Sequence, residues 1–208
     1  MPDGVAAAES FGDPPEARLL PEEEAAVRNA VDKRRREFTT TRHCARIAMA
    51  ELGLPPVAVL SGGNREPLWP AGVVGSMTHC DGYRAAALGR DTRFASIGID
   101  AEPHEPLPGD VLPTIARPEE IPWLRDLAAG HPDVQWDRLL FSAKESVYKA
   151  WYPVARAWLG FEEATLRLDP ASRTFDAEIH RDGPIARMTG RWLVADGIVL
   201  TSVVVEAA

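Results

Sequence analysis

The segment SIGIDAEPHEP, residues 96–106, ends an apolar, β-branched run in two carboxylates, Asp100 and Glu102, followed by prolines. Side chains at positions i and i+2 of a strand share a face, so the two acids are predicted to point the same way. Adjacent carboxylates repel each other unless a proton or a cation lies between them. Paired oxygen donors with room for water and phosphate oxygens are how proteins usually hold Mg²⁺. The alternative is two solvated acids before a turn.

The sequence before this segment predicts a helix followed by an antiparallel meander. Acids crowd the start of residues 21–53 and a glycine closes it, which suits a helix that is interrupted near its three threonines. Residues 56–60 are a short strand candidate. Residues 73–80, 83–90 and 94–102 are predicted strands, separated by the turn signals Asp-Gly and Arg-Asp-Thr.

The second half of the chain repeats this order. A helix is predicted over residues 136–152, and four strands follow it, at residues 164–169, 174–181, 188–195 and 197–205. Asp196-Gly197 is a good hairpin turn between the last two. The fold class is therefore predicted as α+β, with two similar α+β lobes.

The Pro-rich connection near residue 104 gives the expected boundary between the lobes. Residues 1–20 are expected to form an irregular N-terminal arm, residues 21–104 the N-terminal lobe and residues 105–208 the C-terminal lobe, together making one functional unit.

Composition excludes several function classes. The chain has 208 residues, 45% of them apolar, and a net charge of −8, which argues against a nucleic-acid or membrane binder. No apolar run approaches membrane-spanning length, and the N-terminus has no signal-peptide pattern. Cys44 and Cys80 match no metal-binding spacing and suggest reduced thiols, so we expect a cytoplasmic protein.

The helix at residues 136–152 carries charge where its apolar stripe predicts hydrophobic residues. Leu140, Tyr148 and Trp151 continue that stripe, whereas positions 144 and 145 hold Lys144 and Glu145. Lys149 follows Glu145 by four residues, a spacing that also suits an ordinary helical ion pair. An ion pair does not explain Lys144, because charges on a core-facing stripe need partners or a function.

A basic segment and two short motifs are candidate anion-binding elements. Arg34 and Arg42 lie in the run KRRREFTTTRHCAR, and arginine forks suit phosphate well, although a solvated helix face is the alternative. Thr78 and His79 lie near a strand end. The turn at residues 61–64 is rich in glycine, and its amides could approach a nucleotide.

These segments together resemble the 4′-phosphopantetheinyl transferases of the Sfp/EntD type, and in particular the EntD-like branch of actinobacteria. The resemblance covers nearly all of the chain after Pro21. It rests on the ordered set G-I-D-x-E and F-S-x-K-E-x-x-x-K with a T-H strand before both, and on the quoted segments at residues 33–53, 65–70, 74–89, 96–107 and 139–153.

The resemblance implies a fold and a reaction. Coenzyme A is expected in a cleft between two pseudo-duplicated lobes, and Mg²⁺, or Mn²⁺ in its place, on Asp100, Glu102 and Glu145. By the same resemblance, Glu145 is expected to activate the acceptor serine, directly or through water. Lys149 is expected to contact the pyrophosphate and assist the leaving group, and Lys144 beside it to face phosphate.

The resemblance also implies how the nucleotide end of coenzyme A is held. Arg34, Arg42, Thr78 and His79 match positions that contact this end, especially its 3′-phosphate. The turn of Ser61, Gly62, Gly63 and Asn64 falls where relatives pass the adenine and phosphates. Some relatives have lysine at the position of Ser61, so either Ser61 or Arg65 is left to supply that contact.

The implied acceptors are apo acyl or peptidyl carrier proteins of polyketide, nonribosomal peptide or fatty-acid synthases, and the chain is expected to be a monomer. This links it to antibiotic, siderophore or fatty-acid biosynthesis. Two other classes stay open from the residues: a different Mg²⁺-dependent phosphoryl-transfer or phosphohydrolase enzyme, and a protein that binds coenzyme A without turnover.

Overall fold

The computed structural model describes residues 1–207, which form two compact units of mixed α and β structure. The first comprises residues 1–97 with the C-terminal residues from Glu206, and the second residues 98–205. The predicted α+β class is confirmed. The division lies after Ile97, inside the predicted strand at residues 94–102, and not at residue 104.

The first unit combines one long helix with a three-stranded antiparallel sheet. The helix α1 spans Asp32–Glu51, and a 3₁₀ helix at Pro21–Val27 precedes it. The sheet has the order β1-β5-β4, with β1 at Ala6–Phe11, β4 at Val73–Cys80 and β5 at Tyr83–Arg90, and two short strands, β2 at Leu60–Ser61 and β3 at Pro67–Leu68, pair separately. Its core is made by buried residues of helix and sheet: Cys44, Ala45, Ala48, Met49, Val73, Ala86 and Leu88.

Two expectations for the first unit are wrong. Residues 6–11 of the expected irregular arm form strand β1, which pairs with β5 along its whole length. The helix is not interrupted at its threonines, because Thr39 and Thr41 donate their hydroxyls to carbonyls one turn back and Thr40 bonds Asp13. The break lies earlier, between the 3₁₀ helix and α1.

The second unit packs helices on a five-stranded sheet. Its helices are α2 at Leu112–Ile115, α3 at Glu120–Gly130 and α4 at Trp136–Ala155, and a 3₁₀ helix lies at Phe161–Glu163. The sheet has the order β6-β10-β9-β8-β7, formed by β6 at Phe94–Pro103, β7 at Ala164–Asp169, β8 at Thr174–Ile179, β9 at Arg187–Ala195 and β10 at Ile198–Glu206. The predicted hairpin turn is confirmed, with Asp196 and Gly197 at φ values of 50° and 74°.

A Pro-Glu-Glu motif recurs in the two units, at residues 21–23 and 118–120. In each copy the second glutamate is buried and accepts the backbone N–H three residues earlier. Glu23 also bonds the N–H of Val59 and the side chain of Arg46 on α1. Glu120 makes the equivalent bonds to Leu166 N–H and to Lys144 on α4. The two units therefore fasten their long helix in the same way.

Candidate active site

A glycine brings the strand-end acids to helix α4. A Cβ at Gly98 would collide with the backbone of Ser146 and Ala150, so only glycine lets β6 and α4 approach this closely. Two residues on, Asp100 accepts a hydrogen bond from Lys149 Nζ at 2.7 Å, and the same ammonium bonds the carbonyl of Ile99 at 3.1 Å. The G-I-D motif thus combines close packing with a buried carboxylate.

Three carboxylates interact electrostatically at this strand end. Burial raises the pKa of Glu145; the Lys149 ammonium opposes that shift and Asp100 adds to it. Burial also raises the pKa of Glu102, Asp100 again adds to the effect, and Arg138 opposes it. With all three acids ionised, two cations leave a net negative charge, which favours binding of a further cation.

The donor chemistry of this cluster fits a magnesium ion that is completed by substrate. Within residues 1–207, no three or more His, Cys, Asp or Glu side chains form a group that could hold a metal ion. Asp100 instead pairs with Lys149, and Glu102 with Arg138 at 3.0 Å. Mg²⁺ prefers oxygen donors and is usually bound by a few carboxylates together with waters and substrate phosphate oxygens. A preassembled protein cage is therefore not required.

The expectation that Lys144 faces phosphate is wrong. Its ammonium is buried and donates to the Glu120 carboxylate at 2.8 Å and to the carbonyls of Ile115, Phe161 and Ala164 at 2.8–3.0 Å. Burial lowers the pKa of Lys144, and Glu120 opposes that shift. Lys144 thus anchors α4 to the segments around it, which explains a charge on the apolar stripe.

The core-facing side of α4 differs in part from the predicted stripe. Ala143 and Ala150 are fully buried and continue the core-facing side of α4, whereas Tyr148 and Tyr152 are half-buried. Tyr148 stacks against Trp158, whose exposure is 66%, with ring centroids 4.8 Å apart. Helical spacing places Tyr148 and Tyr152 on the side of α4 that carries Glu145. An aromatic surface therefore adjoins the carboxylate cluster.

In the first unit, the structure brings Arg34 and His79 together. Arg34 Nη1 lies 2.8 Å from His79 Nε2, and Glu37 lies 3.5 Å from the same ring nitrogen. Both side chains are accessible at the beginning of α1 and the end of β4, and Thr78 next to His79 is buried. This pair is the part of the basic segment that is best placed to meet an anion.

Arg42 lies buried beneath the glycine-rich turn. It donates to the Val59 carbonyl at 3.1 Å and to Ser61 Oγ at 3.3 Å, and its guanidinium lies 3.1 Å from the centre of the Phe38 ring. Burial lowers its pKa to about 10, with Glu23 opposing the shift. Arg42 thus supports the turn. The neighbouring cation Arg34 also lowers the pKa of Arg42, because like charges repel.

The turn itself is partly closed by Glu66. The Glu66 carboxylate accepts the N–H of Asn64 at 2.9 Å and would collide with any Cβ at Gly62. Arg65 adopts a left-handed backbone with φ of 66° and is exposed. The exposed residues of this turn are Ser61, Gly63, Asn64 and Arg65.

Sequence reasoning missed Arg138 and the buried glutamates Glu23 and Glu120. Arg138 lies two helical turns before Glu145, but its partner, the Glu102 carboxylate, belongs to another segment and does not follow from that spacing. The Pro-Glu-Glu repeat could have marked the two glutamates, because a proline followed by acids is typical of a helix start.

Acids and a lysine held at the junction of a strand and a helix are typical of enzymes that act on phosphate esters. Comparison with known proteins narrows this class. Residues 22–89 match the 4′-phosphopantetheinyl transferase N-terminal domain, and residues 96–192 match the 4′-phosphopantetheinyl transferase superfamily.

Known 4′-phosphopantetheinyl transferases are similar to this chain along almost its whole length. The chain is 52% identical to 4′-phosphopantetheinyl transferase Svp of Streptomyces mobaraensis, with 94% of this chain and 82% of the relative covered. It is 48% identical to Npt of Nocardia iowensis, with 98% and 96% covered, and 47% identical to PptT of Mycobacterium tuberculosis, with 97% and 92% covered. The chain belongs to the 4′-phosphopantetheinyl transferase family, enzymes that transfer phosphopantetheine from coenzyme A to carrier proteins. The predicted family and its EntD-like branch are confirmed.

Proposed function

We propose that the chain carries out this transfer with Mg²⁺ held by Asp100, Glu102 and Glu145. The observation that carries the proposal lies at the end of β6, where Asp100 bonds Lys149 and acts electrostatically on both Glu102 and Glu145. Mg²⁺ would supply positive charge to the pyrophosphate oxygens of coenzyme A. The hard oxygen donors and the net negative charge of the cluster support this choice of ion.

The chain's own residues have separate tasks in the proposed reaction. Glu145 accepts the proton of the carrier serine, directly or through a water, as the serine oxygen attacks the β-phosphorus. The bond between that phosphorus and the bridging oxygen breaks, and adenosine 3′,5′-bisphosphate leaves. Lys149 offsets the charge that grows on this leaving group, and Asp100 holds the ammonium in place.

Arg34, Thr78 and His79 are proposed to serve the nucleotide end. Arg34 and His79 form the accessible pair for the 3′-phosphate, and Arg42 holds the turn of residues 61–64 from beneath. The exposed Arg65 is the better candidate than Ser61 for the remaining basic contact, because arginine carries a positive charge and serine does not.

The aromatic surface of Tyr148 and Trp158 suits the pantetheine arm of the substrate. This arm is attached to the reacting phosphate, so it must lie beside the carboxylate cluster, and its gem-dimethyl group favours apolar contact.

Across residues 1–207, no helix is both long and apolar enough to cross a bilayer. The classes of carrier protein, a monomeric state and a cytoplasmic location stay predictions.

Intact-mass measurement of an apo carrier protein tests the proposed function. After incubation with the chain, coenzyme A and Mg²⁺, we expect the carrier to gain one phosphopantetheine group and adenosine 3′,5′-bisphosphate to appear. Coenzyme A cleaved with the carrier unchanged would indicate a phosphohydrolase. Both molecules unchanged with every carrier tested would leave a coenzyme A-binding protein.

Replacing Lys149 with methionine is expected to lower kcat about 10²-fold, because an electrostatic contact made mainly in the transition state affects kcat more than KM. Steady-state rates at varied coenzyme A with a saturating carrier measure both constants. Arg125→Met removes an exposed cation from α3 and serves as the control. A Lys149→Met protein with normal kcat and a lower melting temperature would leave Lys149 as the ion-pair partner of Asp100 alone.

Replacing both Arg34 and His79 with alanine is expected to weaken coenzyme A more than dephospho-coenzyme A, about tenfold or more, since a charge-assisted contact to the 3′-phosphate is lost. Calorimetric titration with the two ligands measures the difference. Arg28→Ala, an exposed change just before α1, is the control. An equal loss for both ligands would mean that the pair acts elsewhere.

A further inference from the structure

The connection that follows β6 is fastened to the first turn of α4. His104 Nε2 accepts the N–H of Gln135 at 3.0 Å, and Asp137 Oδ2 accepts the N–H of Leu107 at 2.9 Å. Arg138 makes the third attachment. The Pro-rich segment is thus held by side chains of the same helix that carries Glu145 and Lys149, so it is not a loose linker.

Arg138 uses three nitrogens of its guanidinium on three acceptors. Nη1 donates to Glu102 Oε2, Nε to the Glu105 carbonyl and Nη2 to the Pro106 carbonyl, each at 3.0 Å. The side chains of Arg138 and Glu102 are only 15% and 21% exposed. A planar, pre-organised fork can satisfy three acceptors in this way, whereas a lysine ammonium is a point charge on a flexible stem.

The Arg138 guanidinium fixes the Glu102 carboxylate with respect to the Glu145 carboxylate. Glu102 engages Arg138 through Oε2, and it can therefore offer Oε1 to a cation. Arg138 lies seven residues before Glu145, so helical spacing puts the two on the same side of α4. One helix thus supplies Glu145 and also the group that orients Glu102.

We propose that Arg138 is the positioning residue for Glu102 and sets the affinity of the site for its divalent cation. This inference rests on the proposed function, in which Glu102 is a metal ligand. A cation near the metal repels it, but here the guanidinium charge is already paired with a carboxylate. Loss of a hydrogen-bonding partner behind a metal ligand typically costs 10–100-fold in metal affinity. Orientation therefore outweighs repulsion.

Mn²⁺ binding, followed by the electron paramagnetic resonance of free Mn²⁺, tests the proposal. The full chain is titrated in saturating coenzyme A, against the same solution without protein. We expect Arg138→Met to raise the dissociation constant for Mn²⁺ by about 10–100-fold. Arg138→Lys keeps the charge without the three-way fork and should fall between. KM for Mg²⁺ should rise by a similar factor, while kcat at saturating Mg²⁺ stays within about threefold.

Asp137→Asn is the matched control, because it weakens the attachment at Leu107 without touching Glu102. An equal loss of Mn²⁺ affinity in Asp137→Asn and Arg138→Met would overturn the specific role of Arg138, as would tighter or unchanged binding in Arg138→Met. Should Arg138→Met fail to fold, Arg138→Lys decides, and unchanged affinity in that variant overturns the proposal. Failure of the unmodified chain to bind Mn²⁺, or normal binding by Asp100→Asn, would instead contradict the proposed metal site itself.

Discussion

Glu145→Gln is expected to lower kcat about 10³-fold while the chain stays folded, because glutamine has the size of glutamate but neither its charge nor its basicity. Burial and Asp100 both raise the pKa of Glu145, so the native carboxylate is in an unfavourable environment. Removing the charge relieves this repulsion. We therefore expect an unchanged or slightly higher melting temperature together with the loss of turnover, measured on the same preparation.

Glu163→Gln is the control for this variant, since Glu163 forms a surface ion pair with Arg181 in the same unit. It should leave kcat unchanged. Glu102→Gln should be severe but less so than Glu145→Gln, because water can replace one ligand of Mg²⁺. If Glu145→Gln kept kcat within tenfold of the unmodified chain at limiting Mg²⁺, Glu145 would be neither the base nor a ligand.

Lys144→Met is expected to lower the free energy of unfolding by about 3–5 kcal/mol, since it leaves the buried Glu120 carboxylate without its cation. Both side chains are about 1% exposed, so water cannot compensate. Glu120 also accepts the N–H groups of Arg117 and Leu166. An unpaired charge on Glu120 would therefore also destabilise α3 and β7. Chemical denaturation with urea gives the change directly.

Arg181→Met breaks a half-exposed ion pair in the same unit and should cost about 1 kcal/mol or less. The double variant Lys144→Met/Glu120→Gln should recover part of the loss, because no uncompensated charge remains buried. A Lys144→Met protein with full stability and weaker coenzyme A binding would instead support a contact between Lys144 and phosphate, which the structure does not show.

Local pattern was sufficient for most of the fold. Alternation of apolar residues with short turns predicted β4, β5 and β6, and the Asp-Gly hairpin predicted the end of β9. These signals depend on neighbours in sequence. Strand β1 could not be found in this way, because its stability comes from pairing with β5 more than seventy positions later in the sequence. The threonines of α1 were misjudged because their hydroxyls are satisfied within the helix.

The candidate site could likewise be predicted from the sequence only in part. The strand-end acids and the Glu145–Lys149 spacing follow from period and residue type, and the structure brings Asp100 and Lys149 together. Lys144 differs from Lys149 in its burial and in its partner, Glu120, which lies 24 positions away and cannot be assigned from spacing. Arg138 was missed for the same reason, since its acceptors belong to another segment.

Anomalous diffraction from Mn²⁺ in crystals of the chain with coenzyme A is the most direct test of the central claim. The proposed site predicts one strong peak about 2.0–2.2 Å from oxygens of Asp100, Glu102 and Glu145 and from a pyrophosphate oxygen. A peak bound by phosphate and water alone, with no oxygen of Asp100, Glu102 or Glu145 within coordination distance, would contradict it.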